Sequence, residues 1–346
     1  MATDRGALRD LGVTLALSGL GAGLFAVVGM PAPALTGSAT AVTLAVLAGL
    51  PMRIPTWLRD LCFVTLGLNI GSSVTPDVLR AAATWPLSFA VLAVTLFCSL
   101  FASRAVLERG FGYDRTTATL ASTPGHLGYV LGLTADMKAD IVTISLVQST
   151  RVLFLTLVVP LVVTLLFEPT GATVLPRSVV TPLSLGLLYV AAFALGLVFL
   201  KLKLPAAFLL AGMAASAAGH LGEITPGRMP DALAVAALLV MGALIGTRFR
   251  GAGMVAFRNC ILAGLCITGI ALAFALLGAT VVMATLGLPI DMLIVAFAPG
   301  GVEAMAAIAI QAGLDPTFVA AHHVARLALL TVMIPLLARH TLGKTD

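Results

Sequence analysis

Charged residues are scarce in this sequence. Only 10% of its 346 residues are charged and 60% are apolar, with a mean hydropathy of +1.09. Soluble domains are about 25% charged and about 45–50% apolar. So few charges cannot cover a soluble globule, which excludes an ordinary soluble enzyme, a disordered chain and a nucleic-acid-binding protein with a basic patch. The sequence therefore predicts a protein that crosses a membrane several times.

Aromatic residues and cysteine motifs are also lacking. Aromatics make up only 6% of the chain, which argues against an outer-membrane barrel with its aromatic girdles. The 34 glycines instead suit closely packed transmembrane helices. Because the four cysteines show no CxxC spacing, we expect them to be small buried apolar side chains. No cofactor and no metal site is predicted.

Long apolar runs dominate what is present. A crossing helix needs about 20 apolar residues, and the runs that reach or approach this length cover residues 11–29, 32–50, 57–74, 84–105, 117–135, 141–167, 179–200, 205–220, 231–247, 260–286, 288–312 and 316–338. The first run could pass for a cleaved signal peptide, but it is too long for one and has a counterpart in the second half. The loops are short, so the function must reside within the membrane.

The chain is internally duplicated at a constant offset of 175 residues. Rare residue types recur in register, which chance pairing of apolar sequence would not produce. The matched pairs are Pro55 and Pro230, Gly67 and Gly242, Gly71 and Gly246, Pro124-Gly125 and Pro299-Gly300, Asp140 and Asp315, Arg151 and Arg326, and Pro160 and Pro335. We predict a first membrane repeat over residues 1–175 and a second over residues 176–346.

The fifth run of each half is broken by a Pro-Gly pair, and the path of that run decides the topology. If it dips in and returns on the same side, each half crosses five times and the halves are inverted. With a cytoplasmic N-terminus, the inside loops then hold 15 Lys and Arg residues and the outside loops hold 3. If all twelve runs cross, the count is 11 against 7. The positive-inside rule favours the first arrangement. We therefore predict an all-α polytopic membrane protein made of two inverted repeats, each with about five transmembrane helices and one broken or re-entrant helix.

The paired breaks are the first candidate binding feature. A broken helix survives in a membrane only where protein or a watery cavity surrounds it, and the helix start that follows offers free N–H groups to an anion. A packing kink is the alternative for a single break, but two breaks at equivalent positions favour a shared substrate site. The predicted substrate-binding residues here are Ser122, Thr123, Pro124, Gly125, His126, Pro299, Gly300 and Gly301.

A polar stripe on the last run of each half is the second feature. Asp315, His322 and Arg326 share one helix face. In the first half, Asp140, Gln148 and Arg151 fall on a comparable face. A charge near the bilayer centre is costly, so each arginine should face a cavity or a partner. We predict that Arg151 and Arg326 bind a carboxylate or balance a nearby acid; locking a helix end or the interface between the halves is the alternative.

Other polar groups within the runs are candidates for ion coupling. Histidine titrates near neutral pH and could carry a proton. Glu303 follows the second break and is expected to be neutral, paired with Arg326 or a cation ligand; it is also a substrate-binding candidate. The predicted ion-coupling residues are Asn69, Gln148, Glu303, His322 and His323. Trp57 and Trp85 begin runs and are typical of interface anchors.

The repeated Pro-Gly, Asp, Arg and Pro pattern resembles the AbrB-type membrane protein family, as does the run Pro31-Ala32-Pro33-Ala34-Leu35-Thr36-Gly37. The resemblance covers about residues 10–340. Members of that family are described as membrane regulators or as ammonia monooxygenases, and the resemblance implies a duplicated membrane domain. The chain departs from the motif at His126, which replaces the second glycine of the first break.

These patterns favour a secondary transporter that works by elevator-like alternating access, in which the broken elements and the arginine helices move past the remaining spans. The solute would be a small anion such as a carboxylate, coupled to Na⁺ or H⁺. The alternative is a membrane sensor or regulator of gene expression that transports nothing. We expect no enzymatic activity and no nucleic-acid partner. The expected location is a bacterial inner membrane with both termini cytoplasmic. The apolar helix faces are compatible with a homodimer.

Overall fold

The protein is all-helical over the part that the computed structural model describes. The described residues are 2–74, 80, 82–123, 140–166, 178–202, 204, 206–251 and 254–342. In chain order the helices are α1 Ala2–Val27, α2 Pro33–Leu47, α3 Thr56–Gly71, α4 Trp85–Phe111, α5 Arg115–Ser122, α6 Ile141–Leu166, α7 Pro182–Lys201, α8 Ala207–Leu221, α9 Asp231–Thr247, α10 Met254–Leu286, α11 Ile290–Phe297, α12 Val302–Gln311 and α13 Pro316–Leu342. A short 3₁₀ turn, Ala82–Thr84, precedes α4.

The helix boundaries recur at the offset seen in the sequence. Helix α5 begins at Arg115 and α11 begins at Ile290, 175 residues later, and α6 and α13 are related in the same way. An uncommon backbone feature recurs too, since Ala32 and Ala206 both adopt left-handed φ angles, of 53° and 50°, just before α2 and α8. Alanine tolerates this conformation poorly. Its presence at both places indicates the same tight entry into each helix.

The first three helices of each half interlock to form one group. Helix α3 packs along α8, α9 packs along α2, and α3 and α9 contact each other. Glycines allow the close approach: a Cβ at Gly67 would overlap the Leu209 carbonyl, and one at Gly242 would overlap Ser38 and the Leu35 carbonyl. The matching glycines therefore act as helix-packing surfaces across the two halves.

The remaining helices form a second group around the break of the second half. The long helices α4 and α10 pack against each other, α10 contacts α6 and α11, and α13 packs against both α11 and α12. Helix α10 begins at Met254, six residues before the run predicted from residue 260. This group holds the arginine helices α6 and α13.

Five of the described helices are long and apolar enough to cross a bilayer. They comprise Gly6–Val27, Trp85–Phe111, Ile141–Leu166, Pro182–Lys201 and Phe257–Leu286. Helix α7 exposes Leu183, Leu187 and Val190, and an apolar outer surface of this kind suits lipid. The prediction of an all-α polytopic membrane protein is thus confirmed, with α2, α8 and α9 as shorter apolar helices of 15 to 17 residues.

Candidate functional site

The second break has a defined backbone. Helix α11 ends at Phe297, α12 starts at Val302, and the residues between them turn the chain. Gly301 occupies the N-cap of α12 in an extended conformation, and no side chain caps it. Close packing surrounds the break, since a Cβ at Gly300 would lie 2.7 Å from Cγ of Met305. The break exposes carbonyl oxygens that no helix bonds, and these need other donors.

Arg326 supplies those donors. Its Nη1 donates to the carbonyl of Ala298 at 2.6 Å, and its Nη2 donates to the carbonyl of Gly300. The Nη2 group also lies 2.6 Å from Nδ1 of His323. The side chain is 2% exposed. Arg326 therefore lies at the break, and its contacts there are with backbone oxygens.

Arg151 makes the equivalent contact in the first half. It is 1% exposed, and its Nη2 donates to the carbonyl of Thr123 at 3.1 Å. Thr123 corresponds to Ala298 at the 175-residue offset. Two arginines thus bind the last carbonyl before each break from equivalent helices.

Gln148 and His323 are a second equivalent pair. The Gln148 amide donates to the carbonyl of Leu120 at 2.8 Å, and Nε2 of His323 lies 3.0 Å from the carbonyl of Val295. A carbonyl can only accept, so Nε2 of His323 carries the proton and Nδ1 accepts from Arg326. Both residues hold the broken element against the arginine helix, a positioning role that their types alone do not reveal.

The contacts fix the direction of the broken element. Val295 pairs with His323 and Ala298 pairs with Arg326, so α11 and α13 run in the same direction. Pro316 lies about 15 Å before Arg326 along α13, and α12 is also about 15 Å long. If α12 continued in the direction of α11, its far end would lie roughly 30 Å from Pro316. The length of the Arg326 side chain, which spans the contact between the two helices, has to be subtracted from this distance. The linker reaches at most about 18 Å, so α12 does not continue along the line of α11 and turns away from it at the break.

The charge at this place is not balanced by a described acid. Among the described side chains, no carboxylate lies within ion-pair distance of Arg151 or Arg326. Nε of each arginine is buried without a hydrogen-bond partner. The two guanidinium groups are also within electrostatic range of each other. Two buried guanidinium groups without a described counter-charge are costly to keep in the protein interior.

A small cavity reaches Arg326 from between α4 and α10. Its volume is about 20 Å³, and Leu92, Thr95, Ser99, Phe297 and Pro299 contribute to its lining. This volume holds about one water molecule. The structure therefore places a cavity of about one water molecule next to the arginine.

The other predicted binding residues divide into two sets. The hydroxyls of Ser122 and Thr123 donate to carbonyls of their own helix, at 2.7 Å and 3.0 Å, so each hydroxyl proton is already used within the helix. Pro124, Gly125 and His126 lie outside the described residues, as does the side chain of Glu303. Asn69 is half-buried on α3, and no described hydrogen bond joins it to the arginines.

His322 lies one position from His323 but faces another helix. Its Nδ1 donates to the Phe318 carbonyl at 2.8 Å, and its Nε2 lies 2.6 Å from the hydroxyl of Ser88. The ring is packed against Phe89 and Phe318, and Trp85 is buried beside it instead of facing lipid as an anchor. No sequence pattern marks Ser88, because it is a single serine within an apolar run.

The aspartates at the start of the polar stripes are helix caps. Asp140 accepts from the N–H groups of Val142 and Thr143, and Asp315 accepts from those of Thr317 and Phe318. Asp140 is exposed, and the hydrogen bond from the Thr143 hydroxyl lowers the pKa of its carboxyl. Each aspartate lies about 16 Å along the helix from its arginine. The stripe therefore does not bring acid and arginine together.

Comparison with known proteins supports the resemblance seen in the motifs. The chain is 28% identical over 326 aligned positions to "Putative regulator AbrB" of Escherichia coli (strain K12), which covers 91% of each chain. It is 26% identical over 366 aligned positions to "Uncharacterized protein YhjN" of Bacillus subtilis (strain 168), covering 97% of this chain and 94% of that protein. Residues 34–341 match the family described as "Transition state regulatory protein AbrB". The chain belongs to the AbrB family.

Proposed function

We propose that this protein is a secondary active transporter of a small anionic solute, with a carboxylate as the solute class. The observation that carries the proposal is the pair of buried arginines at equivalent positions, each bonded to a break carbonyl and each with an unpartnered Nε. Among the described side chains no carboxylate neutralises these arginines, and a transported anion would do so while it is bound. Broken helices at a shared site are a recurring plan of secondary transporters.

The helix packing supports a division of the helices into a moving group and a static group. The moving group would hold the break, the arginine helices α6 and α13, and the long helices α4 and α10, since these pack together. The static group would hold α1 to α3 and α7 to α9. The apolar runs 84–105 and 260–286 are expected from the sequence to belong to the static group, but their contacts with α11 and α13 favour the moving group. Coupling to Na⁺ or H⁺, a bacterial inner membrane and cytoplasmic termini complete the proposal.

Solute uptake by purified protein in liposomes tests the proposal. Radiolabelled small carboxylates are offered with and without an inward Na⁺ or H⁺ gradient. We expect gradient-dependent accumulation by the wild type, no accumulation by Arg326→Ala, and partial accumulation by Arg326→Lys, which keeps the charge but loses the forked geometry. Each variant is first shown to be monodisperse and helical. Full uptake by Arg326→Ala, with unchanged affinity and coupling, would contradict the role of this arginine.

A regulator of gene expression is the second candidate, and the name of the Escherichia coli relative favours it. A regulator that transports nothing needs a cytoplasmic output surface. Deletion of the gene followed by transcript profiling, with Arg326→Ala as complementing allele, separates the two functions. If both alleles restore the transcripts and neither transports, the regulator candidate replaces the transporter.

A further inference from the structure

A groove on the outer face of the α4–α10 pair lies next to the cavity at Arg326. The groove has a volume of about 330 Å³ and is lined by Ala90, Val91, Val94, Thr95, Leu277, Gly278 and Val281. Val94 and Leu277 are exposed, on helices that are long and apolar enough to cross the bilayer. The groove is therefore accessible from the hydrocarbon region. Its volume is in the range of small-molecule binding pockets.

Thr95 and Gly278 form the boundary between the groove and the cavity. Thr95 lines both spaces. A Cβ at Gly278 would lie 2.8 Å from ring atoms of Phe297 and 2.8 Å from the Thr95 methyl. Phe297 is the last residue of α11 and lines the cavity at Arg326. The boundary between the lipid side and the break therefore consists of Gly278, the Thr95 methyl group and the edge of the Phe297 ring.

The two spaces differ sharply in chemistry. The inner end holds the Arg326 guanidinium, buried and with Nε unpartnered, while the outer groove is almost wholly apolar. The inner cavity alone, at about 20 Å³, is too small for an anionic group together with a carbon chain. A ligand that satisfies both ends has one anionic head and one flexible hydrocarbon tail.

We propose that the solute is an amphiphilic monoanion, such as a medium-chain carboxylate, whose head group reaches Arg326 and whose tail lies in the groove between α4 and α10. The inference rests on the proposed function and names the chemical class of its solute. Entry is lateral, from the bilayer, through the boundary at Thr95 and Gly278. A lipid acyl chain that only fills the groove is the competing outcome.

Binding of an homologous series of carboxylates tests the inference. Unbranched carboxylates of two to ten carbons are titrated calorimetrically into the purified wild type and Arg326→Ala in the same detergent. We expect the wild-type affinity to rise about fourfold per methylene until the groove is filled, and Arg326→Ala to bind each chain length more weakly. The Arg326→Ala slope reports partition into the micelle and into the groove without the head-group contact.

Two further variants locate the tail. Val94→Trp fills the groove from the lipid side and should abolish the chain-length dependence, while Leu276→Trp, a matched lipid-facing change on α10 outside the groove, should retain it. A chain-length dependence that Val94→Trp leaves unchanged would overturn the inference as acyl-chain partition only. Arg326-dependent binding of short carboxylates with no chain-length dependence would overturn it while leaving the proposed function standing. No Arg326-dependent binding at any length would remove both.

Discussion

Arg326 is held mainly by backbone oxygens, and this determines what it can do. Carbonyls accept hydrogen bonds but carry no formal charge, so they orient the guanidinium without neutralising it. The arginine remains a fixed, oriented cation at the break. The residue type and its position near mid-membrane were readable from the sequence. Its partners were not, because backbone carbonyls carry no sequence signal.

Two roles of His323, positioning Arg326 and carrying a coupling proton, can be tested separately by substitution. Because the equivalent Gln148 makes the same bond, His323→Gln should keep both the donation to Val295 and the acceptance from Arg326. We expect its unfolding midpoint in detergent to match the wild type. His323→Ala leaves a buried carbonyl and a buried donor unpaired, which should destabilise the protein by about 1–3 kcal/mol.

The pH profile of transport distinguishes the two roles of His323. A coupling proton carried by this ring would make His323→Gln lose the pH dependence of uptake while keeping its stability. If the profile is unchanged, His323 only positions Arg326 and the coupling site lies elsewhere. A strong loss of stability in His323→Gln would show that glutamine cannot replace the ring here, against the equivalence with Gln148.

At the scale of helices, packing across the two halves depends on a few glycines. Gly67→Ala and Gly242→Ala each place a methyl group against the backbone of a helix from the other half. We expect each to lower stability by at least about 1–3 kcal/mol, because a carbonyl cannot move aside as a side chain can. The measurement is the thermal midpoint and monodisperse fraction in detergent.

Exposed glycines provide the matched controls for this prediction. Gly19 and Gly186 lie on α1 and α7 with open space around the site of a Cβ. Alanine there should be neutral or stabilising by up to about 1 kcal/mol, since it improves helix propensity. Stabilisation of all four variants would mean that helix propensity, and not packing between the halves, decides the effect.

For the whole molecule, the sequence predicted the helices well and their grouping poorly. The 175-residue offset was readable because rare Asp, Arg and Pro residues recur in register, and the apolar runs located the helices. The pairing of α3 with α8 and of α9 with α2 was not readable, since small residues mark a packing face without naming its partner. The neighbours of α4 and α10 were hidden for a similar reason: nearly uniform apolar sequence shows no preferred face.

The orientation of the two halves is the prediction that decides the mechanism. If α12 runs back beside α11 as the predicted re-entrant element, the second half crosses five times, through α7, α8, α9, α10 and α13, and an odd number inverts one half relative to the other. Arg53 and Arg228 occupy equivalent positions, and both are partly or fully exposed. In a variant without the four native cysteines, Arg53→Cys should react with a membrane-impermeant maleimide only after permeabilisation of cells, whereas Arg228→Cys should react in intact cells. Removal of the exposed Arg228–Asp231 ion pair costs little, so folding does not confound the comparison. Labelling of both positions from the same side would establish parallel halves, and the near-symmetric exchange of inward and outward states expected for inverted repeats would then be lost.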